Sequence, residues 1–386
     1  MKLIKDLHLH NYLLFDIGGR KMITKTLFPG RYIQGYRAIE RLQSELVSFG
    51  QNGICIVTQT AWQRLHKYHL FQRNKPALAL CYFNGECCDE ELNRLAEEGR
   101  KQKAHFVVAI GGGKAIDTGK IVASRLNLPV AVVPTIASTD APCSACAVVY
   151  DTSGAVLRVE YQKNNPNLVL VDSQIISEAP VRFLASGMGD ALATWFEAES
   201  CRRNKATNEA GELGSLTAYS LARLCYDTIL KYGPEAYKSC HNKQVTPALE
   251  AVIEANTLLS GLGFESGGLA AAHSIHNGLS SLAKTHGFYH GEKVAFGLLA
   301  SLFLREETKR YIDEVFTFCE SIRLPTTLED IGLRNITREE LVQIATRACQ
   351  HGEFIHHEGN DITPQVVIDL LLMADQEGKR RKSMRL

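Results

Sequence analysis

Between Phe106 and Lys120 an apolar run, Phe106-Val-Val-Ala-Ile110, passes without a spacer into Gly111-Gly112-Gly113-Lys114-Ala115-Ile116-Asp117-Thr118-Gly119-Lys120. Strand, glycine turn and helix in that order leave backbone N–H groups free at a helix start, where they suit a phosphate. The missing side chains let the chain come close to a pyrophosphate. This is neither Gly-x-Gly-x-x-Gly nor a Walker A loop, and a lone glycine triplet before a helix reads equally well as a tight turn. The strand ahead of it favours the phosphate-binding reading.

Other segments build on that unit. Ile54-Cys-Ile-Val-Thr58, Ala77-Leu-Ala-Leu-Cys-Tyr-Phe83 and Val130-Ala-Val-Val-Pro134 are short and almost wholly apolar. Strands of that kind belong to parallel sheets covered by helices on both faces. Polar helical stretches, Glu90 to Lys103 and Ala115 to Arg125, lie between them. The alternation predicts a Rossmann-like α/β domain over residues 1–178. Beyond Pro180 helical periodicities take over, at Ser186 to Cys201, Leu213 to Lys231 and Pro247 to Leu262. An all-helical metal- and substrate-binding domain is therefore expected over 179–386, with a small-molecule cleft between the two.

With 386 residues and a formal net charge of +1, the chain has no bulk electrostatic pull towards nucleic acid or an anionic membrane. Its longest apolar run, Val294 to Leu304, falls well short of the roughly 20 residues that span a bilayer and reads as a buried helix. No signal-peptide pattern opens the chain. The 11 cysteines follow no framework spacing, which fits a reducing cytoplasm, and Cys143 and Cys146 read as small core residues rather than a zinc or redox pair. Lys379-Arg380-Arg381-Lys382, with Arg385 beyond, reads as a solvated basic tail.

Chemistry concentrates in a few places. Pro134-Thr135-Ile136-Ala137-Ser138-Thr139-Asp140-Ala141-Pro142 follows a strand, where loops converge on the ligand crevice; its hydroxyls suit a ribose or phosphate and its acid a substrate hydroxyl. Its composition also suits an ordinary turn. Gly187-Met188-Gly189-Asp190 opens an apolar helical stretch. Of 13 histidines, four fall between His273 and His290: His273, His276, His286 and His290. One Asp and two His make a metal site with an open position, as catalytic zinc requires. Spacing alone leaves open which histidines are ligands and whether the metal is zinc or iron.

Taken together, the blocks GGGKAIDTGK, PTIASTDAPCSA, GMGDALATWFEA, GFESGGLAAAHSIHNGL and YHGEKVAFG resemble the glycerol dehydrogenases of the iron-containing alcohol dehydrogenase superfamily, whose fold is shared with dehydroquinate synthase. The resemblance runs from about Phe28 to Pro364 and beyond; Met1 to about Lys21 lies outside it and is given no role. It implies a catalytic zinc on Asp190, His273 and His290, with the substrate oxygen in the fourth position and His276 close behind. Iron-using relatives place another histidine where this chain has Thr194. It also implies that Gly113 to Asp117 (with Lys114 and Ala115), Thr135 to Ser138, Ser144, Cys146 and Tyr150 contact the dinucleotide, together with Gly111 and Gly112 of the turn. Asp140 matches the acid that approaches the polyol. The activity implied is transfer of hydride from glycerol or another vicinal diol to NAD, giving dihydroxyacetone or the matching hydroxyketone, in a cytoplasmic homo-oligomer, dimer or octamer.

One departure concerns the cofactor. Family members often end their first Rossmann strand with an Asp that binds the ribose; here the strand runs out in Thr58-Gln59-Thr60. NADP therefore stays open beside NAD, with Arg64 or Lys67 as phosphate partners. Two other readings share the fold: a lyase like dehydroquinate synthase, and a binding protein without activity. The phosphorylated substrate of such a lyase, or of a glycerol-1-phosphate dehydrogenase, needs a basic pocket, for which the blocks supply chiefly Lys114, Lys120 and Lys293.

Overall fold

The computed structural model describes residues 23–65, 68, 76–151, 156–359 and 362–384. The initial segment to Lys21, Lys67 and Arg385 lie outside the described residues. Six strands are parallel in one sheet: β1 (Tyr32–Gly35), β2 (Asn52–Val57), β3 (Ala77–Tyr82), β4 (Phe106–Gly111), β5 (Val130–Pro134) and, after the antiparallel hairpin β6 (Cys146–Tyr150) and β7 (Val156–Tyr161), β8 (Leu168–Asp172). Their order is β1-β8-β5-β4-β2-β3.

Both faces of this sheet are buried, which is why its inner strands are apolar throughout. Ile54, Ile56, Val107 and Val132 point into the larger core, which continues into the helical half. Cys55, Val57, Val108, Ile110, Ala131 and Val133 point the other way, onto Ile39, Leu42, Leu46, Ala61 and Leu65. The chain steps outward from β2 to β3 and returns to β4, then β5, so its direction reverses between β2 and β4. Open parallel sheets bind ligands outside such a point. Gly111 ends β4 there beside Pro134 of β5. A Cβ on Gly111 would stand 2.9 Å from the Ala115 Cβ and 3.1 Å from Thr58, so only glycine lets the turn fold back on its own helix.

Helices α1 (Asp89–Lys101) and α2 (Gly113–Leu126) cover the sheet, and after Asp172 the described residues form no further strand. The helical half comprises chiefly α3 (Val181–Asn204), α4 (Leu216–His241), α5 (Pro247–Glu254), α6 (Ser260–Gly267), α7 (Ala271–Ser280), α8 (His290–Ser301), α9 (Arg338–Ala348) and α10 (Pro364–Ser383). A single π turn, Ala255–Leu259, joins α5 to α6. The N-terminal segment sits on this half: Thr24 bridges to Leu213, and the Leu27 N–H donates to Ser266 Oγ.

The basic C-terminal run departs from its sequence reading. It forms the last turns of α10: Lys379 pairs with Asp375, Arg381 with Glu320 and Asp313, and Lys382 with Asp330. Asp375 lies one turn back on the same helix, but the acids that hold Arg381 and Lys382 lie as many as 68 residues away, and nothing local signals those pairs. None of the described helices is long and apolar enough to cross a membrane.

Asp172 caps the helical turn that follows β8 and ties it to the segment after β1. Oδ1 accepts from the Gln174 and Ile175 N–H groups, and Oδ2 accepts from Ile39 N–H. The side chain is fully buried, so removing it strands three backbone donors. Asp172→Ala is expected to lower stability by about 1–3 kcal/mol, read from the denaturant midpoint; an unchanged midpoint would contradict this role.

Candidate metal centre and dinucleotide cleft

Asp190 lies mid-way along α3, a helix buried on nearly every side. The start of α8 rests directly on that helix, because a Cβ on Gly291 would overlap the Ser186 carbonyl. His290, the first residue of α8, thereby brings Nε2 to 3.1 Å from Asp190 Oδ1. From α7, His273 brings Nε2 to 3.4 Å from the same oxygen. Three ligand atoms, one from each residue, lie within 4.8 Å of one another. The other oxygen, Asp190 Oδ2, is buried without a hydrogen-bond partner among the described residues.

Glu197, two turns further along α3, fixes the His273 ring. Its Oε1 accepts from the Ala270 and His273 N–H groups at 2.9 Å each, and its Oε2 lies 2.6 Å from His273 Nδ1. A carboxylate only accepts, so the ring hydrogen sits on Nδ1 and Nε2 is turned towards Asp190. Burial by itself would lower the His273 pKa, but the Glu197 and Asp190 charges outweigh it and hold it well above its ordinary value. Burial would likewise raise Asp190, yet His290 and His273 keep it below the usual carboxylate range. Asp140 is pushed up by burial and then by the Asp190 charge. Asp140 and Asp190 thus disfavour each other's charge, and the groups that face Asp190 are His290 and His273.

Two imidazole nitrogens and one carboxylate suit zinc and leave a coordination position open, and iron accepts the same donors. The orphaned Asp190 Oδ2 and converging Nε2 atoms fit such an ion. Thr194, where iron-using relatives carry a histidine, is engaged elsewhere: its Oγ1 is 2.9 Å from Ser260 Oγ. His276 stands behind His290, its Nε2 3.1 Å from His290 Nδ1. Burial, then the neighbouring His290 and Lys293 charges, push its pKa down. His286 is remote from these, bonded to the Ser280 carbonyl.

Across the cleft, Gly112 caps α2 in an extended conformation and Gly113 opens the helix. The Thr135 N–H donates to the Gly111 carbonyl at 3.0 Å, tying the second loop to the glycine turn. Thr135 and Ser138 are almost fully buried beside it. Lys114 reaches Glu86 at 2.6 Å and lies over the Tyr150 ring at 4.5 Å. Asp117 faces inward, accepting from Val148 N–H and lying 3.0 Å from Lys120 Nζ. Lys120 also donates to the carbonyls of Ala141, Ser144 and Cys146. The structure thus places Asp117, Ser144 and Cys146 around one buried ammonium group that holds the loop in shape. Of the three lysines weighed for a phosphorylated substrate, Lys120 is buried in this knot, Lys114 is paired, and Lys293 donates to Ser280 at 2.7 Å. Cys143 lies wholly buried under Gly261, as a core residue.

The π turn links this loop to the helical half. Asn256 donates to the Ala137 and Leu184 carbonyls, and Ser260 Oγ donates to Asp140 Oδ2 at 2.8 Å. Single π turns mark functional sites in many helices. Glu197, Asn256 and Ser260 are not evident from the sequence. Glu197 carries the one usable signal, a second acid seven residues after Asp190 and so on the same helix face. Replacing Lys120 with Met leaves Asp117 buried and unpaired. Lys120→Met is expected to cost about 3–5 kcal/mol of stability in chemical denaturation; a loss under about 1 kcal/mol would contradict this account.

Comparison with known proteins places this architecture. Residues 29–173 match the family model for iron-containing alcohol dehydrogenase. Over 364 residues the chain is 52% identical to a glycerol dehydrogenase of Thermotoga maritima, covering 94% of this chain and 100% of that one. The crystal structure of glycerol dehydrogenase from Schizosaccharomyces pombe matches with a TM-score of 0.88 at 34% identity, over 95% of this chain and 93% of the other. That of a probable glycerol dehydrogenase from Sinorhizobium meliloti gives 0.87 at 37%, over 93% and 100%. The chain belongs to the iron-containing alcohol dehydrogenase family, and it is an alcohol dehydrogenase-type oxidoreductase. Its likeness within that family is chiefly to proteins named glycerol dehydrogenase, and it is also 40% identical, over 91% of this chain, to a glycolaldehyde reductase of Halobacterium salinarum; oxidoreductase relatives of this kind favour neither the lyase nor the binding-protein reading.

Proposed function

We propose that this protein is a zinc-dependent, NAD-linked dehydrogenase of glycerol and related vicinal diols, yielding dihydroxyacetone or the matching hydroxyketone. The observation that carries the reading is the convergence of Asp190, His273 and His290 around an unsatisfied buried oxygen, within the electrostatic reach of Asp140. In this reading Asp190, His273 and His290 hold the metal, and the chain from Gly111 to Asp117 with Thr135, Ser138, Ser144, Cys146 and Tyr150 forms the dinucleotide cleft. When bound, the metal supplies Lewis acidity that eases ionisation of an alcohol hydroxyl. A nicotinamide dinucleotide supplies the redox chemistry.

The protein's own part is positioning and exclusion of water. Asp140, held by Ser260, accepts from a substrate hydroxyl and orients the diol. Backbone N–H groups at the start of α2 meet the pyrophosphate. Thr194, hydrogen-bonded to Ser260, supplies no fourth protein ligand, which favours zinc. For the cofactor, Arg64 lines a cavity of about 240 Å³ with Glu178, Pro180, His241 and Lys243, none of whose walls comes from the glycine turn. NAD in this proposal is carried by the family likeness. All 11 cysteines are free thiols, consistent with work in a reducing cytoplasm; a homo-oligomer is part of the proposal through the family likeness alone.

Purified protein stripped with a chelator should be inert, and zinc should restore reduction of NAD by glycerol and 1,2-propanediol. His273→Ala should lose both zinc binding and turnover, and Asp140→Ala should weaken the diol's grip while zinc stays bound. Turnover by a zinc-free His273→Ala variant would sink the assignment. Reduction of NADP alone would keep the chemistry and overturn the cofactor.

A further inference from the structure

The Nδ1 atom of His290, on the far side of the ring from Asp190, faces His276 Nε2 at 3.1 Å. Two imidazole nitrogens in such contact share one hydrogen, so one must donate and the other accept. Which does which is decided further back. His276 Nδ1 lies 3.1 Å from Asn277 Oδ1. The Asn277 amide cannot turn round, because its Nδ2 donates to Glu353 Oε2 at 2.9 Å, and a carboxylate only accepts. Arg347 holds the other oxygen of Glu353. With Asn277 Oδ1 fixed as an acceptor, His276 Nδ1 must carry a hydrogen and donate it. Its Nε2 is then a bare acceptor, and the shared hydrogen belongs to His290 Nδ1.

A separate contact agrees. Lys293 Nζ donates to Ser280 Oγ at 2.7 Å, which leaves the Ser280 hydroxyl hydrogen free to point at His276 Nε2, 3.4 Å away. Both neighbours therefore approach His276 Nε2 as donors.

We propose that His276, set by Asn277 and Glu353, is a positioning residue that holds His290 with its hydrogen on Nδ1 and its Nε2 lone pair turned to the metal. This rests on the reading of Asp190, His273 and His290 as metal ligands. Glu197 does the same for His273 with a single carboxylate; on His290 the task passes through His276 and Asn277 to Glu353, 76 residues from Asn277. Partners of this kind behind a ligating histidine are worth about 10–100-fold in metal affinity.

The test is the zinc dissociation constant of the full chain, measured by competition with a chromophoric chelator. His276→Phe should bind zinc about 10–100-fold more weakly than the parent. His276→Gln, whose amide oxygen accepts from His290 Nδ1, should recover most of that loss. Glu353→Gln, which frees the Asn277 amide to turn, should weaken binding measurably and serves if the Phe variant does not fold. Nitrogen NMR of the zinc-loaded protein should show His276 with its hydrogen on Nδ1. Parent-like affinity in both His276→Phe and Glu353→Gln, no rescue by Gln, or a hydrogen on His276 Nε2 would each overturn the inference. His273→Ala separates the two levels: if it loses zinc while His276→Phe keeps it, only this inference fails. If it binds zinc like the parent, the metal reading fails with it.

Discussion

A carboxylate taken out of water must be met by positive charge or neutralised, and the centre of this protein is arranged around that demand at Asp190. Its helix is buried on nearly every side, and two imidazoles from two other helices converge on one of its oxygens. Much of the local architecture is a consequence. Helix α8 must press on α3 closely enough to exclude any side chain at Gly291, and α7 must start where Glu197 caps it. The ring nitrogens that face Asp190 are the ones not already committed to Glu197 or His276.

The second constraint is that this centre meets the loop after β5, which belongs to the other half of the chain. Three buried polar side chains make the connection. Lys120 gathers the Ala141, Ser144 and Cys146 carbonyls from the sheet side. Asn256 and Ser260, brought into register by the π turn, reach the same loop from the helical side. A relative shift of the halves would leave those groups unpaired inside the protein, at about 1–3 kcal/mol for each neutral group. Rigid placement of Asp140 beside Asp190 is the consequence for function.

How much of this is legible in the sequence depends on the kind of contact. Strands β2, β4 and β5 and the helix from Gly113 stand out because two-sided burial writes itself as unbroken apolar runs, while β3 is an apolar run on the sheet edge with Leu80 and Tyr82 exposed. The hairpin strand β7 does not, because it inverts the usual pattern: Leu157, Val159 and Tyr161 are exposed, while Arg158 turns to Asp89. Short β1 carries a polar Gln34 and gives no run to recognise. Asp190, His273 and His290 emerge from residue type, clustering and family resemblance. Asn277 and Glu353 leave no trace, since residues 76 apart are brought together only by the packing of α7 against the turn beyond α9. The C-terminal basic run looks like a free tail for the same reason, the acids of Arg381 and Lys382 lying on distant elements.

The most direct test of the central claim is anomalous X-ray scattering at the zinc absorption edge, from crystals of the zinc-reconstituted protein. A single strong peak bounded by Asp190 Oδ2, His273 Nε2 and His290 Nε2 is the expected result. No peak there, or one elsewhere on the chain, would contradict the account and leave the three residues as a buried ion-pair cluster.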